Sequence, residues 1–355
     1  MYKRQNNFNL LRLVLALLVI VAHVPEMIDG DRSREPLTQL LGVLSFGELA
    51  VDGFFLLSGY LIVQSWQLQP SAARFLHKRA LRIYPAFLVA TVLCALVVAP
   101  LGAGADYLAR LDWRQLALGA LTLDKPRIPA GAFDGLPHPG INNSMWTIRF
   151  EFLCYLAVLA LGTLGALRRR LPWLLITAAL AAAYAAHSFG LAAALGAEAL
   201  RLDRPLVRLG MLFFAGGCFY LYRDRLAAPR RASAAVAAAL LIAGLCSPAT
   251  AELAMATLGG WLLLGFAATH TPALAAFNRL PDVSYGVYLW AWPITRLLQW
   301  HAPDLPVWGM VAATAAGSLA LGVVSWYAIE KPALQLKTLP HSLGVAVARR
   351  KGAAG

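Results

Sequence analysis

The chain has 355 residues, of which 59% are hydrophobic and 14% are charged, and its formal net charge is +13. This composition excludes an ordinary soluble domain, in which about a quarter of the residues are charged. The basic residues are spread over many short segments and are not gathered on one face, which argues against nucleic-acid binding.

Apolar segments recur along the chain, and ten of them reach about 20 residues, the length at which a helix spans a bilayer. No small-residue cleavage site follows the first segment, so we expect a retained helix and not a signal peptide. We therefore predict an all-α, polytopic integral membrane protein with about ten transmembrane helices. Its transmembrane domain is expected over residues 1–335, followed by a basic cytoplasmic tail at 336–355. The predicted spans are 8–28, 45–66, 83–103, 143–165, 171–190, 205–222, 232–248, 252–270, 283–301 and 307–329.

The distribution of basic residues predicts the orientation of these spans. With the N-terminus inside, 19 of the 31 lysines and arginines fall in cytoplasmic segments, nine fall in outer loops and three lie inside spans. Cytoplasmic loops of membrane proteins are enriched in lysine and arginine, so both termini are predicted to be cytoplasmic.

The first span contains both Arg12 and His23. At 100° per residue their separation is close to a whole number of turns, so the two side chains share a helix face, about 16 Å apart along the axis. An arginine inside a bilayer costs about 2.5–3.5 kcal/mol on insertion scales, so we expect a function that offsets this cost. The alternative is that Arg12 snorkels to lipid headgroups and that His23 lies at the outer interface.

Carboxylates also fall within the predicted spans, Asp52 near the outer start of the second and Glu151 about two turns into the fourth. Glu151 is expected at the depth of His23, which predicts a histidine base oriented by a carboxylate, with Asp52 as a second candidate for that role. The alternative for Glu151 is a buried ion pair with Arg149 or Arg296.

A second basic feature lies where the third span begins. Arg79 and Arg82 belong to the stretch RFLHKRALRIYP and share a helix face at a spacing of i and i+3. Together with Arg12 they would suit a polyanionic ligand such as a phosphorylated cofactor. The alternative is that they are ordinary positive charge of a cytoplasmic loop.

Other features predict packing or loops. Ser58 and Gly59 form a small pair inside a span, and no GxSxG elbow marks the serine as a nucleophile, so we interpret the pair as helix packing. The loop at 104–142 is long enough to be a lid or a binding loop, with His138 expected to be a solvated loop residue. The four cysteines contain no CxxC pair, so neither a disulfide nor a metal site is expected.

Six motifs, in order along nearly the whole chain, resemble the acyltransferase-3 family of bacterial integral-membrane acyltransferases, which modify sugars on exopolysaccharides, O-antigens and related glycans. The motifs are Arg12 with His23, VDGFFLLSGYLI at 51–62, Arg79 with Arg82 before IYP, NNSMWTIRFEFLCYL at 142–156, DVSYGVYLWAWPI at 282–294 and SWYAIEKPAL at 325–334. The resemblance implies a fold of about ten helices with a cytoplasmic acyl-donor side.

The resemblance also implies roles for individual residues. The arginine and histidine of the first span and the two inner arginines match positions that the family uses, so Arg12, Arg79 and Arg82 are expected to hold the acyl donor. His23 is expected to act as general base on the acceptor hydroxyl or to carry the acyl group transiently, since histidine titrates near neutral pH. The matching residues of the fourth-span motif are expected to complete the site, with Glu151 as a catalytic residue and Trp146 and Asn143 as substrate-binding residues.

Two departures from the family pattern limit the transfer of roles. Position 291 is alanine where relatives often have the histidine of YLWHWP, so no role is assigned there. The chain continues for about 25 residues after the last predicted span. No fused extracytoplasmic hydrolase-like domain is therefore expected, and the acceptor would be handled by the membrane domain or by a separate partner.

The sequence therefore predicts O-acyl transfer, with acetyl as the expected group, from acyl-CoA to a sugar hydroxyl of a cell-surface or secreted glycan in the bacterial inner (plasma) membrane. No permanently bound cofactor is expected; the partners would be acyl-CoA, a glycan or lipid-linked sugar, membrane lipids and other polysaccharide-assembly proteins. A transporter or flippase of a lipid-linked sugar or acyl-sugar is the alternative, disfavoured because no inverted repeat is visible. A non-catalytic scaffold is disfavoured by the motif set.

Overall fold

A computed structural model describes residues 6–138, 140–190, 204–269 and 271–338. Within these ranges the chain is helical, with no β-strand. Most of the predicted cytoplasmic tail, residues 339–355, lies outside the described part. The helices are α1 (Phe8–Asp29), α2 (Pro36–Leu41), α3 (Phe46–Leu68), α4 (Ala72–Gly102), α5 (Tyr107–Arg110), α6 (Trp113–Thr122), α7 (Asn143–Thr163), α8 (Arg170–Ser188), α9 (Arg204–Leu221), α10 (Arg231–Leu245), α11 (Ala251–Ala268), α12 (Ser284–His301) and α13 (Val307–Gln335).

The ten predicted spans all fall on helices. Among the described residues, seven helices are long and apolar enough to cross a membrane, namely α1, α3, α4, α7, α8, α11 and α13. The other three predicted spans correspond to α9 and α12, each of 18 residues, and to α10, of 15 residues. The prediction of an all-α, polytopic membrane protein is therefore confirmed.

Helix ends follow local sequence signals. α3 begins with a capping box in which the Ser45 hydroxyl accepts the N–H of Glu48 at 3.2 Å and the Glu48 carboxylate accepts the N–H of Ser45 at 3.0 Å. α1 ends at Asp29 and is capped by Gly30, whose φ of 82° is the left-handed conformation that glycine adopts without strain. α4 begins at Ala72, well before the predicted start at residue 83, because hydropathy detects only the apolar part of a helix.

The centre of the bundle is the contact between α3 and α9. A Cβ atom added to Gly59 would collide with the carbonyl of Phe213, and one added to Gly216 would collide with the carbonyl of Leu56. Small residues allow membrane helices to pack backbone to backbone in this way. The packing role predicted for Gly59 is therefore confirmed.

α1 packs against α3 on one side and against α12 and α13 on the other. The chain direction of these helices defines the two ends of the bundle. We call the end at which α1, α4 and α12 begin the basic end, since Arg12, Arg79 and Arg82 lie there. The opposite end, which carries His23, is called the histidine end.

Candidate active site

A cavity of about 410 Å³ lies in the half of the bundle that carries the basic end. Its wall is formed by α1, α3, α4, α7, α12 and α13, with residues directly before α12 and after α13. Arginines that are distant in sequence meet here, so the predicted inner cluster is one structural site. The charged lining residues are Arg12, Arg79, Arg82, Lys337, Asp282 and Glu151.

Asp282 joins two of the arginines. Its Oδ2 atom accepts hydrogen bonds from Arg12 Nη1 and Arg82 Nη2, each at 2.8 Å. Burial opposes ionisation of Asp282, but the two guanidinium groups outweigh this and hold the pKa of its carboxyl well below the usual range. Arg82 also donates to Glu330 at 2.9 Å, and Glu330 lies in a π-helical turn of α13, a distortion that is frequent at functional sites.

Arg79 and Lys337 differ from these paired arginines. Within the described ranges, neither has a carboxylate at ion-pair distance. Arg79 packs over the rings of Phe75 and Tyr155, with its guanidinium carbon 5.7 and 5.9 Å from their centroids, and its Nε atom is buried without a hydrogen-bond partner. Burial and the nearby arginines lower the pKa of Lys337 to about 8. Among the described residues, the cavity therefore contains two cations that have no carboxylate at ion-pair distance.

Glu151 lies in this cavity and does not contact His23. Its Oε1 atom accepts hydrogen bonds from Ser58 Oγ at 2.8 Å and from the Tyr155 hydroxyl at 2.6 Å. The predicted pairing of Glu151 with His23 is wrong, because equal depth along two helices does not place two side chains on facing sides. The alternative of an ion pair with Arg149 or Arg296 does not occur among the described residues either.

Ser58 was interpreted as a packing residue, but it hydrogen-bonds to Glu151. Gly59, the next residue of α3, does pack against another helix. The small pair therefore has two roles, a polar contact at Ser58 and helix packing at Gly59. A short polar side chain inside an apolar run was the sequence signal for a buried partner of this kind.

His23 lies at the other end of α1, outside the cavity. Its Nδ1 atom is 3.0 Å from Glu26 Oε2, and its ring meets the ring of Trp292 edge-on, with 5.4 Å between centroids. Arg12 and His23 contact residues at the start and in the middle of the α12 segment, respectively, as expected for side chains on one helix face. Tyr288 lines the cavity one turn before Trp292, so the cavity and His23 are separated by about 6 Å along α12.

Asp52 does not contact His23 either. Its Oδ1 atom accepts a hydrogen bond from Arg208 Nη2 at 2.5 Å, and Arg208 also pairs with Glu252 at 3.3 Å. Its predicted role as a second partner for His23 is wrong, because the face of α3 that carries Asp52 points towards α9. Asp52 instead forms part of a buried ion-pair network.

The two predicted substrate-binding residues lie at the start of α7. Asn143 Oδ1 accepts a hydrogen bond from Lys125 at 3.0 Å, and Trp146 packs against Phe150, with 5.6 Å between ring centroids. Neither residue lines the cavity. Their substrate-binding role stays a prediction.

The long loop between α6 and α7 is anchored on α12. Arg296 donates to the carbonyls of Pro137 at 2.9 Å and His138 at 2.5 Å. His138 is half-buried, with its Nε2 atom buried and without a hydrogen-bond partner, so the prediction of a solvated loop histidine is wrong. The loop folds back onto the histidine end because Arg296 needs acceptors for its buried N–H groups.

Sequence reasoning missed several residues of the site. Asp282 and Glu330 lie in motifs that were recognised, DVSYG and WYAIEKP, but neither acid was assigned a role from the sequence. Glu26 is three residues after His23, a spacing that brings helix side chains together and could have been read directly. Among the described residues, no group of three His, Cys, Asp or Glu side chains is arranged to hold a metal ion.

Comparison with known proteins gives one family match and several relatives. A family model described as an acyltransferase domain matches residues 5–329. The O-acetyl transferase of Shigella phage Sf6 is 34% identical over 155 residues, which are 43% of this chain and 44% of that protein. Nodulation protein 10 of Rhizobium leguminosarum bv. viciae is 27% identical over 361 aligned positions, covering 94% of each chain.

A third relative, acyltransferase MdmB of Streptomyces mycarofaciens, is 26% identical over 162 residues, which are 41% of this chain and 36% of that protein. The chain thus spans less than half of two of these relatives and nearly all of the other. No solved structure is significantly similar to the chain.

Proposed function

The chain belongs to the acyltransferase-3 family, whose model matches residues 5–329, and on this basis we propose that it is a membrane O-acyltransferase. It would move an acyl group, with acetyl as the simplest case, from acyl-CoA to a sugar hydroxyl of a cell-surface or secreted glycan. The names of two relatives, an O-acetyl transferase and an acyltransferase, support the reaction class. The observation that carries the donor assignment is the cavity with two cations that lack a carboxylate partner among the described residues.

The donor assignment follows from charge. CoA carries a pyrophosphate and a ribose phosphate, and Arg79 and Lys337 face the cavity with no carboxylate at ion-pair distance among the described residues. Arg12 and Arg82 already pair with Asp282. They would contribute to donor binding mainly through their electrostatic attraction for the phosphates and by exchanging Asp282 for a phosphate group. Arg79 and Lys337 are therefore the proposed first contacts of the donor phosphates.

The rest of the cavity suits the uncharged part of the donor. Phe54, Ile148 and Tyr288 provide an apolar wall away from the arginines. The Tyr288 hydroxyl is 2.7 Å from the Thr147 hydroxyl. Tyr288 lies one turn before Trp292, the residue that His23 contacts. The acyl end of the donor would have to extend past this turn of α12 to reach the acceptor.

His23 is the proposed general base. The acceptor hydroxyl would give its proton to Nε2 of His23, its oxygen would attack the thioester carbonyl, and the carbon–sulfur bond would break. The departing CoA thiolate would leave with a proton, so that His23 is neutral again. Formation of an acyl-histidine is the alternative, and rapid quenching followed by mass spectrometry of the protein distinguishes the two routes.

We propose that the basic end faces the cytoplasm, with both termini there, in the bacterial inner membrane. The excess of lysine and arginine in the segments at this end supports this orientation. Acyl-CoA is a cytoplasmic metabolite, which fits a donor cavity on that side. The acceptor, a glycan or lipid-linked sugar, would then approach His23 from the outer half.

The test is acyl transfer by the purified protein in lipid nanodiscs. Acetyl-CoA is supplied, and the release of CoA thiol is measured with and without a lipid-linked sugar acceptor. Acceptor-dependent thiol release that disappears in His23→Gln supports the proposal. A transporter, flippase or scaffold would bind or move the sugar without releasing thiol, and that result would refute the proposed function.

A further inference from the structure

His23 has a carboxylate partner on its own helix. Glu26 lies one turn further along α1, and its Oε2 atom is 3.0 Å from His23 Nδ1. The other oxygen, Oε1, is 3.4 Å from Arg32 Nε, and Arg32 Nη1 reaches Glu48 at 3.0 Å. The four side chains form a line of alternating charge from the imidazole to the start of α3.

The backbone keeps this arrangement in place. Pro25 has no N–H to donate to the carbonyl of Val21, so the last turn of α1 lacks one of its usual hydrogen bonds. Gly30 ends the helix, because its N–H bonds to the carbonyl of Glu26 at 2.9 Å while its left-handed conformation turns the chain. The turn lets Arg32 fold back onto the carboxylate of Glu26.

A carboxylate on Nδ1 has a defined effect on an imidazole. The N–H must be on Nδ1 to donate to Glu26, which leaves the lone pair on Nε2. The ring is also held edge-on by Trp292, and among the described residues no group bonds to Nε2. His23 is therefore presented as a proton acceptor with one nitrogen fixed and the other available.

We infer that Glu26 is the positioning residue of His23: it holds the tautomer protonated on Nδ1 and stabilises the imidazolium that forms when Nε2 takes the acceptor proton. This inference rests on the proposed role of His23. The proton balance is the one given above, since the proton taken from the acceptor hydroxyl leaves with the CoA thiol. Glu26 remains ionised throughout.

Other charges face Glu26 and set the strength of this effect. Arg32 contacts its second oxygen, and His138 from the loop before α7 lies close enough to interact electrostatically. Glu48 partly neutralises Arg32. Removing Glu26 should weaken protonation of His23, whereas removing Arg32 leaves Glu26 with fewer competing cations and should strengthen it.

The experiment compares Glu26→Gln, Arg32→Ala and Asp29→Asn in the nanodisc transfer assay across pH 5 to 9. Asp29 is the matched control, because it lies on the same turn of α1 and its carboxylate pairs with Arg34 and not with His23. Glu26→Gln should lower kcat by about tenfold or more at unchanged KM for acetyl-CoA. The acid limb of its pH–rate profile should move to lower pH, and Arg32→Ala should move it to higher pH.

Shifts of opposite sign are a readout that a purely structural role would not give. The inference is overturned if both variants move the limb in one direction, if neither moves it, or if Asp29→Asn matches Glu26→Gln. His23→Gln separates this from the proposed function. If His23→Gln is active, His23 is not the general base and the proposed mechanism fails. If His23→Gln is inactive but Glu26→Gln behaves like the wild type, only the role of Glu26 is overturned.

Discussion

Donor binding should weaken as pH rises through the range in which Lys337 loses its charge. Burial and the neighbouring arginines lower the pKa of this lysine to about 8, against an ordinary value near 10.4. The charged form prevails below pH 8, and an anionic ligand binds that form more tightly. The dissociation constant for acetyl-CoA should therefore be low at pH 7 and should increase at pH 9.

The size of the effect follows from the charged fraction. With a pKa of about 8, Lys337 is charged in about nine-tenths of molecules at pH 7 and in about one-tenth at pH 9. One charge-assisted contact contributes about 1.5–3 kcal/mol, or roughly a tenfold to hundredfold difference in affinity between the two forms. Weighting by the charged fractions gives a rise of about five- to tenfold in the dissociation constant between pH 7 and pH 9.

The assay is equilibrium binding of acetyl-CoA to the protein in nanodiscs at pH 7, 8 and 9. The thioester has no free thiol to titrate, and phosphate monoesters with a second pKa near 6 are already ionised at pH 7, so the change would come from the protein. Lys337→Arg should give a nearly constant dissociation constant, because guanidinium stays charged. Lys331→Ala is the matched control, since Lys331 is an exposed lysine in the last part of α13 that does not line the cavity.

A dissociation constant that stays the same from pH 7 to pH 9 in the wild type would refute the reasoning. The same would follow from an equal increase in Lys337→Arg, because the titrating group would then be another residue. A change in Lys331→Ala as large as that in Lys337→Ala would show that the basic end attracts the donor only through its overall charge.

Three further predictions concern the paired and unpaired groups and the orientation. Arg82→Ala should lower the melting temperature, because it removes the partner of two buried carboxylates. Arg79→Ala should leave the melting temperature unchanged and weaken acetyl-CoA binding about tenfold. Equal melting temperatures in the two variants would contradict this prediction. Glu151→Gln should lower kcat without moving the acid limb of the pH–rate profile, because the Glu151 carboxylate bonds to hydroxyl groups and not to His23. A shift of that limb would instead support a direct pairing of Glu151 with His23. Reporter fusions after residue 130 should be outside and after residue 345 inside, and the reverse result would invert the proposed placement of donor and acceptor.

The helices could be predicted because a membrane span must satisfy its backbone internally and be apolar over a fixed length. The convergence of Arg12, Arg79 and Arg82 could be predicted in part, since the order of spans places all three at one end. Their lateral contacts could not be predicted, because hydropathy gives depth and not the face of a helix. The pairing assigned to Glu151 failed for this reason.

The residues that the sequence did not reveal are mainly acids that neutralise other charges. Asp282 lies just before a helix, where an acidic residue is common for helix stability alone. Its second role, to pair with Arg12 and Arg82, depends on contacts with two other helices that the local sequence does not show. Glu26 is different, because its contact with His23 is local and follows from helix spacing.

The balance of charge in the cavity explains why a site proposed for a polyanion contains carboxylates at all. Four buried or half-buried cations with no counter-charge would repel one another and would each lose hydration, at a cost of several kcal/mol per ion. Asp282 and Glu330 offset this for Arg12 and Arg82 and hold their guanidinium groups in fixed positions. Within the described ranges, Arg79 and Lys337 have no carboxylate at ion-pair distance, so a phosphate gains most by binding there. The carboxylates thus determine which cations remain available to a donor and which serve to build the site.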